Sequence, residues 1–230
     1  MSVTISGNED TETDSFMMTI IVKDTKDFTA TQLAHATALG VNEFVPLKQN
    51  VEPDSNWDKW LSARFGKILK RMKPNQFNKT TTELIESNID YFSYSEGNVE
   101  LIIVEPLRKS FRHPHLNRAQ IAGLQVMDEQ LPYVGMFGRA HIMLNTDLNM
   151  SPAKAAVAAA HALQLLQQEL SETSQMQLMS WSRNRSTDVL WLPLEDHRNP
   201  VVTINDAGHT EVTPGSVTAT AKMNGSSFLR

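Results

Sequence analysis

The sequence contains no cysteine. Disulfides, thiolate nucleophiles and thiolate metal sites are therefore excluded, and a reducing compartment is compatible with the composition. No apolar run approaches the roughly 18 residues that a membrane-spanning helix needs. The first 15 residues carry four acidic and no basic side chains, the opposite of a signal peptide. From these absences we expect an intracellular, cytoplasmic protein without membrane association.

An excess of positive charge is also missing, since the net charge of the 230 residues is −5. The charge is unevenly distributed: residues 1–56 hold 3 Lys/Arg and 9 Asp/Glu, whereas residues 57–118 hold 11 and 7. Phosphate binding needs a local positive face rather than a basic chain. The composition therefore leaves nucleic acid open as a partner, through the middle of the chain.

A segment near the amino terminus recurs 122 positions later. Residues 20–38 read IIVKDTKDFTATQLAHATA, and residues 142–160 read IMLNTDLNMSPAKAAVAAA. Each begins with an apolar run that is typical of a buried strand and continues into a helix start. The chain is therefore predicted to contain two tandem α/β units.

The two predicted helix starts differ at one position. Thr29 and Gln32 have the spacing of a capping box, which closes the end of its own helix. In the second copy Ser151 and Pro152 suit the N-cap and first helical positions, but Lys154 stands where Gln32 does. A cation there opposes the helix dipole by roughly 0.3 to 1 kcal/mol. We therefore interpret Lys154, beside N–H groups left without a cap, as a site for an anion or a developing oxyanion.

The predicted elements divide the chain into four parts. A disordered acidic tail covers residues 1–15, a first unit 16–106, a bridge 107–137 and a second unit 138–230. Strands are predicted at 17–22, 89–94, 99–104, 140–144, 189–194, 201–204 and 216–222, and helices at 29–44, 57–73, 80–87, 117–129 and 152–170.

The predicted helix over residues 57–73 is amphipathic and basic. Two interpretations stay open: a packed helix with a solvated basic face, or a surface for an RNA backbone or a protein partner. His113 and His115 lie in the basic bridge, where the intervening Pro114 prevents a regular helical pairing, so we expect exposed loop histidines rather than metal ligands. The candidate RNA-binding residues are Lys67, Lys70, Arg71, Arg108, Lys109, Arg112, Arg183 and Arg185.

A second stretch with chemical potential follows the predicted strand at 201–204. Asp206 leaves the strand end in a turn, and Pro214 with Gly215 predicts a type II turn, so Thr210 and Thr218 flank an ordered loop. Together with Lys154 these residues supply a carboxylate, an ammonium and two hydroxyls that one helix N-terminus could gather. A structural ion pair that fixes the loop to the helix is the alternative.

These stretches resemble the peptidyl-tRNA hydrolases of the second type, small α/β enzymes that release peptides from tRNA. The resemblance covers about residues 138–225, with a degenerate echo over about 16–106, and the order and the spacing within each block agree. It is carried by Asn145-Thr-Asp-Leu-Asn-Met150, Lys154, His161, Asp206-Ala-Gly208 with Thr210, and Pro214-Gly-Ser216 with Thr218.

The resemblance implies an α/β fold of two tandem three-layer units, each a mixed sheet flanked by helices. It also implies a positive tRNA-binding face, no metal and no cofactor. The reaction would be hydrolysis of the ester that joins a peptide to the 3′ ribose hydroxyl of tRNA. Asp206 would orient or deprotonate water, Lys154 would stabilise the oxyanion, and the two threonines would position water or substrate. The catalytic set is Lys154, Asp206, Thr210 and Thr218, supported by Ser151, His161 and Asn145.

His161 follows Lys154 by seven residues on the same helix face. A lone histidine among alanines is more often a hydrogen-bonded packing residue than a catalyst.

Several positions depart from the family pattern. Ala158 stands where the family has Gln, and His209 where it has Arg. Residues 195–200 are too few for a crossover helix, so the second sheet must be rearranged or completed by the first unit. The first unit lacks the lysine and the Asp-Ala-Gly-x-Thr motif, and we interpret it as a covalent substitute for the second subunit of a dimer. The chain would then be a monomeric pseudo-dimer or a homodimer. The competing hypothesis is an inactive scaffold that binds tRNA or a protein through residues 57–118.

Overall fold

The computed structural model describes residues 3–5, 15–46, 50–63, 65–111, 113–128, 140–170, 187–206 and 211–223. The helices are α1 Ala30–Phe44, α2 Asn56–Ser62, α3 Pro74–Glu86 and α4 Pro152–Glu169. The strands are β1 Val3–Ile5, β2 Phe16–Lys23, β3 Gly66–Met72, β4 Tyr91–Glu96, β5 Val99–Arg108, β6 Ala140–Asn145, β7 Thr187–Leu192, β8 Val202–Asn205 and β9 Val217–Met223. None of the helices in these ranges has both the length and the apolar character that crossing a bilayer requires.

The strands form two mixed sheets with the same internal topology. The first has the order β3-β2-β5-β4, and the second has the order β7-β6-β9-β8 with the short β1 added beside β8. In the first sheet β2 and β3 are parallel and β5 runs antiparallel to β2 and β4. In the second β6 and β7 are parallel and β9 runs antiparallel to β6 and β8. The fold is therefore α/β and contains one four-stranded arrangement twice.

The predicted repeat matches this duplication. Helix α1 begins at Ala30 and α4 at Pro152, which lie 122 positions apart. Thr29 caps α1 in a complete capping box, since its hydroxyl accepts from Gln32 N–H at 3.2 Å and its own N–H donates to Gln32 Oε1 at 2.8 Å. Ser151 caps α4 through its hydroxyl. Both predicted helix starts are confirmed.

The two units share one core. Helices α1 and α4 pack against each other; α1 also contacts β4 and β5 of its own sheet and β7 of the other, whereas α4 contacts β6, β8 and β9 of its own sheet and β3 of the other. One buried apolar cluster includes Ile20, Leu33, Ile142 and Leu163, from both sheets and both helices. A smaller cluster lies between α3 and the opposite face of the first sheet. Each unit thus covers part of the other, as two subunits of a closed dimer do.

The predicted basic helix over residues 57–73 is wrong. Helix α2 ends at Ser62 and β3 begins at Gly66, with Phe65 between them at a φ of +35°. Strand β3 pairs with β2 from Gly66 to Met72 and buries Leu69 and Met72. Pairing with a central strand of the sheet therefore outweighs the helical period of the apolar residues.

The predicted helix over residues 117–129 is also wrong wherever the chain is described. Only a single 3₁₀ turn, Leu116–Arg118, forms there. Beyond it Gln120 pairs with Arg71 and Met127 pairs with Thr29 in isolated bridges. Gly123 has a φ of +77°, which a right-handed helix does not allow. Helix α3, by contrast, begins at Pro74, earlier than the predicted residue 80.

The ends of the second sheet show how it is completed. Residues 3–5, within the tail predicted to be disordered, form β1 and pair with β8 in parallel, so the prediction is wrong at these three positions. Val-Thr-Ile favours a strand, and β8 has an open edge to pair with. The connection from β7 to β8 contains only the 3₁₀ turn Leu194–Asp196. As its length predicts, no crossover helix forms between these strands, and β6 and β9 lie between them.

Candidate functional site

The front end of α4 is partly capped by its own residues. Lys154 N–H donates to Ser151 Oγ at 3.2 Å, and Ala155 N–H donates to the Ser151 carbonyl at 3.0 Å. Pro152 has no N–H, so of the first-turn donors only that of Ala153 takes no part in these bonds. The expectation of several N–H groups without a cap is therefore wrong, because Ser151 provides the cap even though Lys154 replaces the glutamine.

Lys154 and Asp206 meet at this helix end. Asp206 directly follows β8, and its Oδ2 forms an ion pair with Lys154 Nζ. The Asp206 side chain is 1% exposed and that of Lys154 is 15% exposed. The carboxylate is thus buried while part of the lysine side chain reaches solvent. The predicted proximity of these two groups is present in the structure.

The loop after Asp206 is held by backbone hydrogen bonds. Asp206 N–H donates to the Ser216 carbonyl at 2.8 Å, and Gly215 N–H donates to the Asp206 carbonyl at 2.9 Å. Ser216 N–H donates to the Thr213 carbonyl at 3.1 Å, and Gly215 has a φ of +81°. This is the type II turn that Pro214 and Gly215 predict. Thr210 and His209 lie outside the described residues.

Two further predicted site residues hold strand ends together. Thr218 is 1% exposed, and its hydroxyl donates to the Ile204 carbonyl at 3.2 Å. Asn145 Nδ2 donates to the Val217 carbonyl, and Asn145 Oδ1 accepts from Asp147 N–H, both at 2.9 Å. The side chain of Thr218 links β8 to β9 where the Asp206 loop begins, which does not support its predicted role of positioning water.

Glu211 is a site residue that sequence reasoning missed. Its Oε1 accepts a hydrogen bond from Ser151 N–H, at the N-cap of α4. A carboxylate at a helix start is favoured by the helix dipole. The signal was available, since the only acid between Asp206 and the last strand lies in a loop predicted to reach that helix. Glu211 supplies the negative charge that the first turn of α4 lacks.

The first unit contributes a buried amine beside the second helix. Lys67 on β3 is 8% exposed, and its Nζ lies 4.9 Å from the ring centres of both Trp60 and Phe65. The Phe65 ring lies 5.6 Å from the His161 ring, centre to centre. Burial lowers the pKa of Lys67 well below 10.5. The pKa of His161 is lowered well below 6.5, first by burial and then by the charges of Lys67 and Lys154.

The predicted RNA-binding residues are dispersed. Lys67 is buried, and Arg71 forms an ion pair with Asp24 at 2.7 Å, so neither belongs to the exposed basic helix face that the sequence predicted. Both placements follow from the strand that replaces the predicted helix. Arg108 and Lys109 are exposed at the end of β5. Lys70 is partly exposed on β3, and Arg112, Arg183 and Arg185 lie outside the described residues.

The bridge histidines are packing residues rather than exposed loop side chains. His113 is 8% exposed, with its Nε2 3.0 Å from Ser87 Oγ. His115 Nδ1 lies 2.5 Å from Glu83 Oε2, and Arg118 pairs with the same carboxylate. These contacts attach the bridge to α3, which the local sequence alone does not indicate. In the described ranges no group of three or more potential metal ligands occurs.

Fold and site together define an α/β protein with a duplicated mixed-sheet unit, in which the second copy carries a lysine and aspartate pair at a helix start. A scan against protein-family models and a search of curated proteins each found no match. The resemblance to peptidyl-tRNA hydrolases of the second type therefore rests on the residues named above.

Proposed function

We propose that the protein hydrolyses the ester bond of peptidyl-tRNA or N-blocked aminoacyl-tRNA, releasing peptide and tRNA, in the cytoplasm. The observation that carries the proposal is the ion pair of Lys154 and Asp206 at the start of α4. The sequence resemblance supplies the substrate class. No metal or cofactor takes part in the proposed reaction.

The proposed reaction is attack of water on the ester carbonyl. The carbonyl oxygen gains negative charge, the bond to the ribose 3′ oxygen breaks, and that oxygen receives the proton given up by water. The partly exposed ammonium of Lys154 is positioned to stabilise the oxyanion, a contribution of roughly 3 kcal/mol for a well-placed donor. The Ala153 N–H is a second candidate donor.

The burial of Asp206 supports one of the two roles predicted for it. A carboxylate that is 1% exposed and paired with an ammonium has little access to water. Its position favours holding and orienting Lys154 over deprotonating water directly.

In the proposed enzyme the first unit takes the place of the second subunit of a dimer. The active protein is then a monomer. The sheet and helix of the first unit cover one side of α4, and the exposed Arg108 and Lys109 provide positive charge for the tRNA backbone.

The direct test is release of a radiolabelled N-acetyl-aminoacyl group from tRNA. We expect turnover by the parent, a decrease of about 100-fold or more in Lys154→Ala, and a comparable decrease in Asp206→Ala. Lys79→Ala is the matched control, because Lys79 is exposed on α3. Lack of turnover by the parent would overturn the hydrolase proposal.

One observation favours a second candidate, an inactive tRNA-binding scaffold. The amine of Lys154 is already paired, and the Glu211 carboxylate already accepts a bond from the N-cap N–H. These contacts reduce the capacity of the helix start for a new anion. Tight tRNA binding by a parent that releases no aminoacyl group would support this alternative.

A further inference from the structure

Lys67 is a buried basic residue, and no carboxylate among the described residues pairs with it. Its side chain lies on β3 against Trp60 and Phe65, and among the described residues its one hydrogen bond is a long one of 3.4 Å to the Phe65 carbonyl. Among the ion pairs formed by the described residues, none includes Lys67. The amine therefore has unused donors in an apolar, aromatic environment.

Packing alone does not account for this amine. Taking an ammonium out of water costs stability unless an anion compensates it. A methionine at position 67 would make similar apolar contacts without that cost. A buried lysine that lacks a carboxylate is consequently a candidate for binding or catalysis.

Through Phe65, Lys67 lies near His161 on α4. His161, which is partly exposed, stacks near Phe65 and feels the charges of both Lys67 and Lys154. Lys67 comes from the first unit, whereas the other two groups come from the second. Asp206 compensates the charge of Lys154, but no described carboxylate compensates Lys67.

We propose that Lys67 and His161 form a phosphate-binding site between the two units, adjacent to Lys154. The ligand enters past the partly exposed His161 and Lys154 side chains. A lysine is a compact point charge that suits phosphate oxygens. A bound phosphate would supply the counter-ion that Lys67 lacks among the described residues.

The shared chemistry is a phosphate group, whether of free phosphate, a nucleotide or an RNA backbone. This inference goes beyond ester hydrolysis and does not require it. A protein that binds phosphate through Lys67 but releases no aminoacyl group would retain this site and lose the hydrolase proposal. Turnover without phosphate binding would support the hydrolase proposal and overturn the phosphate site.

The test is isothermal titration calorimetry of the full chain with inorganic phosphate, AMP and a short RNA oligonucleotide. Measurements at constant pH and constant chloride report affinity. We expect binding by the parent. Lys67→Met should weaken binding at least 10-fold, and Lys79→Met, an exposed lysine on α3, should match the parent.

The three ligands distinguish the source of the phosphate group. Binding of inorganic phosphate and AMP supports a terminal phosphate, and binding of RNA alone supports a backbone phosphate. Failure of all three ligands to bind, or equal affinity in Lys67→Met, would overturn the inference. If Lys67→Met does not fold, His161→Phe replaces it, and an affinity equal to that of the parent contradicts the proposed site.

Discussion

The two units have the same strand order and differ at the edge of the sheet where their helices begin. In the first unit Gln32 completes a capping box with Thr29, whereas in the second Lys154 reaches instead to Asp206. The first solution uses the side chain to close the helix. In the second, Ser151 Oγ accepts from Lys154 N–H and the Glu211 carboxylate accepts from Ser151 N–H, so the Lys154 amine is not needed for capping.

The two units also differ in the hairpin connection that lies at this edge of the sheet. Strands β4 and β5 are joined by two residues, Gly97 and Asn98, and Asn98 Nδ2 donates to the Asp27 carbonyl just before α1. Strands β8 and β9 are joined by residues 206–216, which bring Asp206 and Glu211 to the start of α4. Thus an amide contact in one unit corresponds to a charged cluster in the other. A duplicated fold can retain its sheet while one copy changes the loops that meet its helix.

The largest expected effect is a difference in the free energy of unfolding between variants of Lys154 and of its counterpart Gln32. Lys154→Ala removes the ammonium that pairs with a buried carboxylate, so we expect the free energy of unfolding to fall by about 3 kcal/mol. Gln32→Ala removes one capping contact and should cost about 1 kcal/mol or less. Urea unfolding of both variants measures the difference. Equal losses would contradict the distinction between the two helix starts.

A double variant sharpens this result. Lys154→Ala with Asp206→Ala also removes the buried carboxylate and should recover part of the lost stability. The interaction free energy from the four-variant cycle should then fall in the range of about 1–3 kcal/mol. Strict additivity would show that the pair does not couple.

Substitution of Lys67 is expected to raise the free energy of unfolding, the opposite of the effect expected at Lys154. The pKa of Lys67 is lowered in the folded state, so below pH 10.5 the unfolded chain holds more protons and stability decreases toward neutral pH. Lys67→Met should therefore raise the free energy of unfolding at pH 7 by about 1–3 kcal/mol. Urea titrations at pH 7 and pH 10 measure the effect. A destabilised Lys67→Met would show that the amine supports packing after all.

The hairpin glycines allow a matched comparison. Gly97 has a φ of +55° and Gly215 a φ of +81°, and an added Cβ would meet no atom within 4 Å at either position. Each substitution to alanine should cost about 1 kcal/mol through backbone conformation alone. Because Gly215 N–H holds the Asp206 carbonyl, only Gly215→Ala should also slow ester release. Loss of activity in Gly97→Ala would contradict the assignment of the site to the second unit.

The smallest expected effects come from two helix histidines with opposite pH dependence. Burial alone would lower the pKa of His35, but the Glu96 carboxylate and the Thr187 carbonyl raise it overall. Its contribution to stability is therefore present below pH 6.5 and is lost as pH rises through its folded pKa. The pKa of His161 is lowered, so its contribution is present above pH 6.5 and is lost as pH falls.

Thermal unfolding between pH 5 and pH 8 distinguishes the two. His35→Gln should remove stability at the acid end, and His161→Phe should reduce the loss of stability there. Each change should stay within about 1 kcal/mol, since both side chains retain some solvent contact. Effects of the same sign in both variants would contradict the assigned pKa directions.

Sequence patterns were most informative where local chemistry determines structure. The caps at Thr29 and Ser151, the type II turn at Gly215 and the meeting of Lys154 with Asp206 all depend on side chains that act over a few residues or on a motif with fixed spacing. Repetition of the strand and helix pattern also revealed the duplication before the sheets were seen.

The predictions that were wrong concern segments whose structure depends on partners distant in sequence. The segment that forms β3 has helical periodicity, yet it pairs with β2 and carries Lys67 into the interface with α4. Neither that pairing nor the Trp60 and Phe65 surroundings of Lys67 can be deduced from local spacing. Glu211 lies 60 residues from the N-cap that it contacts, so no local spacing links the two.

The most direct test exchanges the residues that distinguish the two helix starts. Release of N-acetyl-aminoacyl groups from tRNA should be compared for the parent, Lys154→Gln and Gln32→Lys. The account predicts turnover by the parent and by Gln32→Lys at equal rates, and a loss of about 100-fold or more in Lys154→Gln, although its helix start then has the Ser-x-x-Gln pattern. Undiminished release by Lys154→Gln would contradict the claim that the second unit carries the working site.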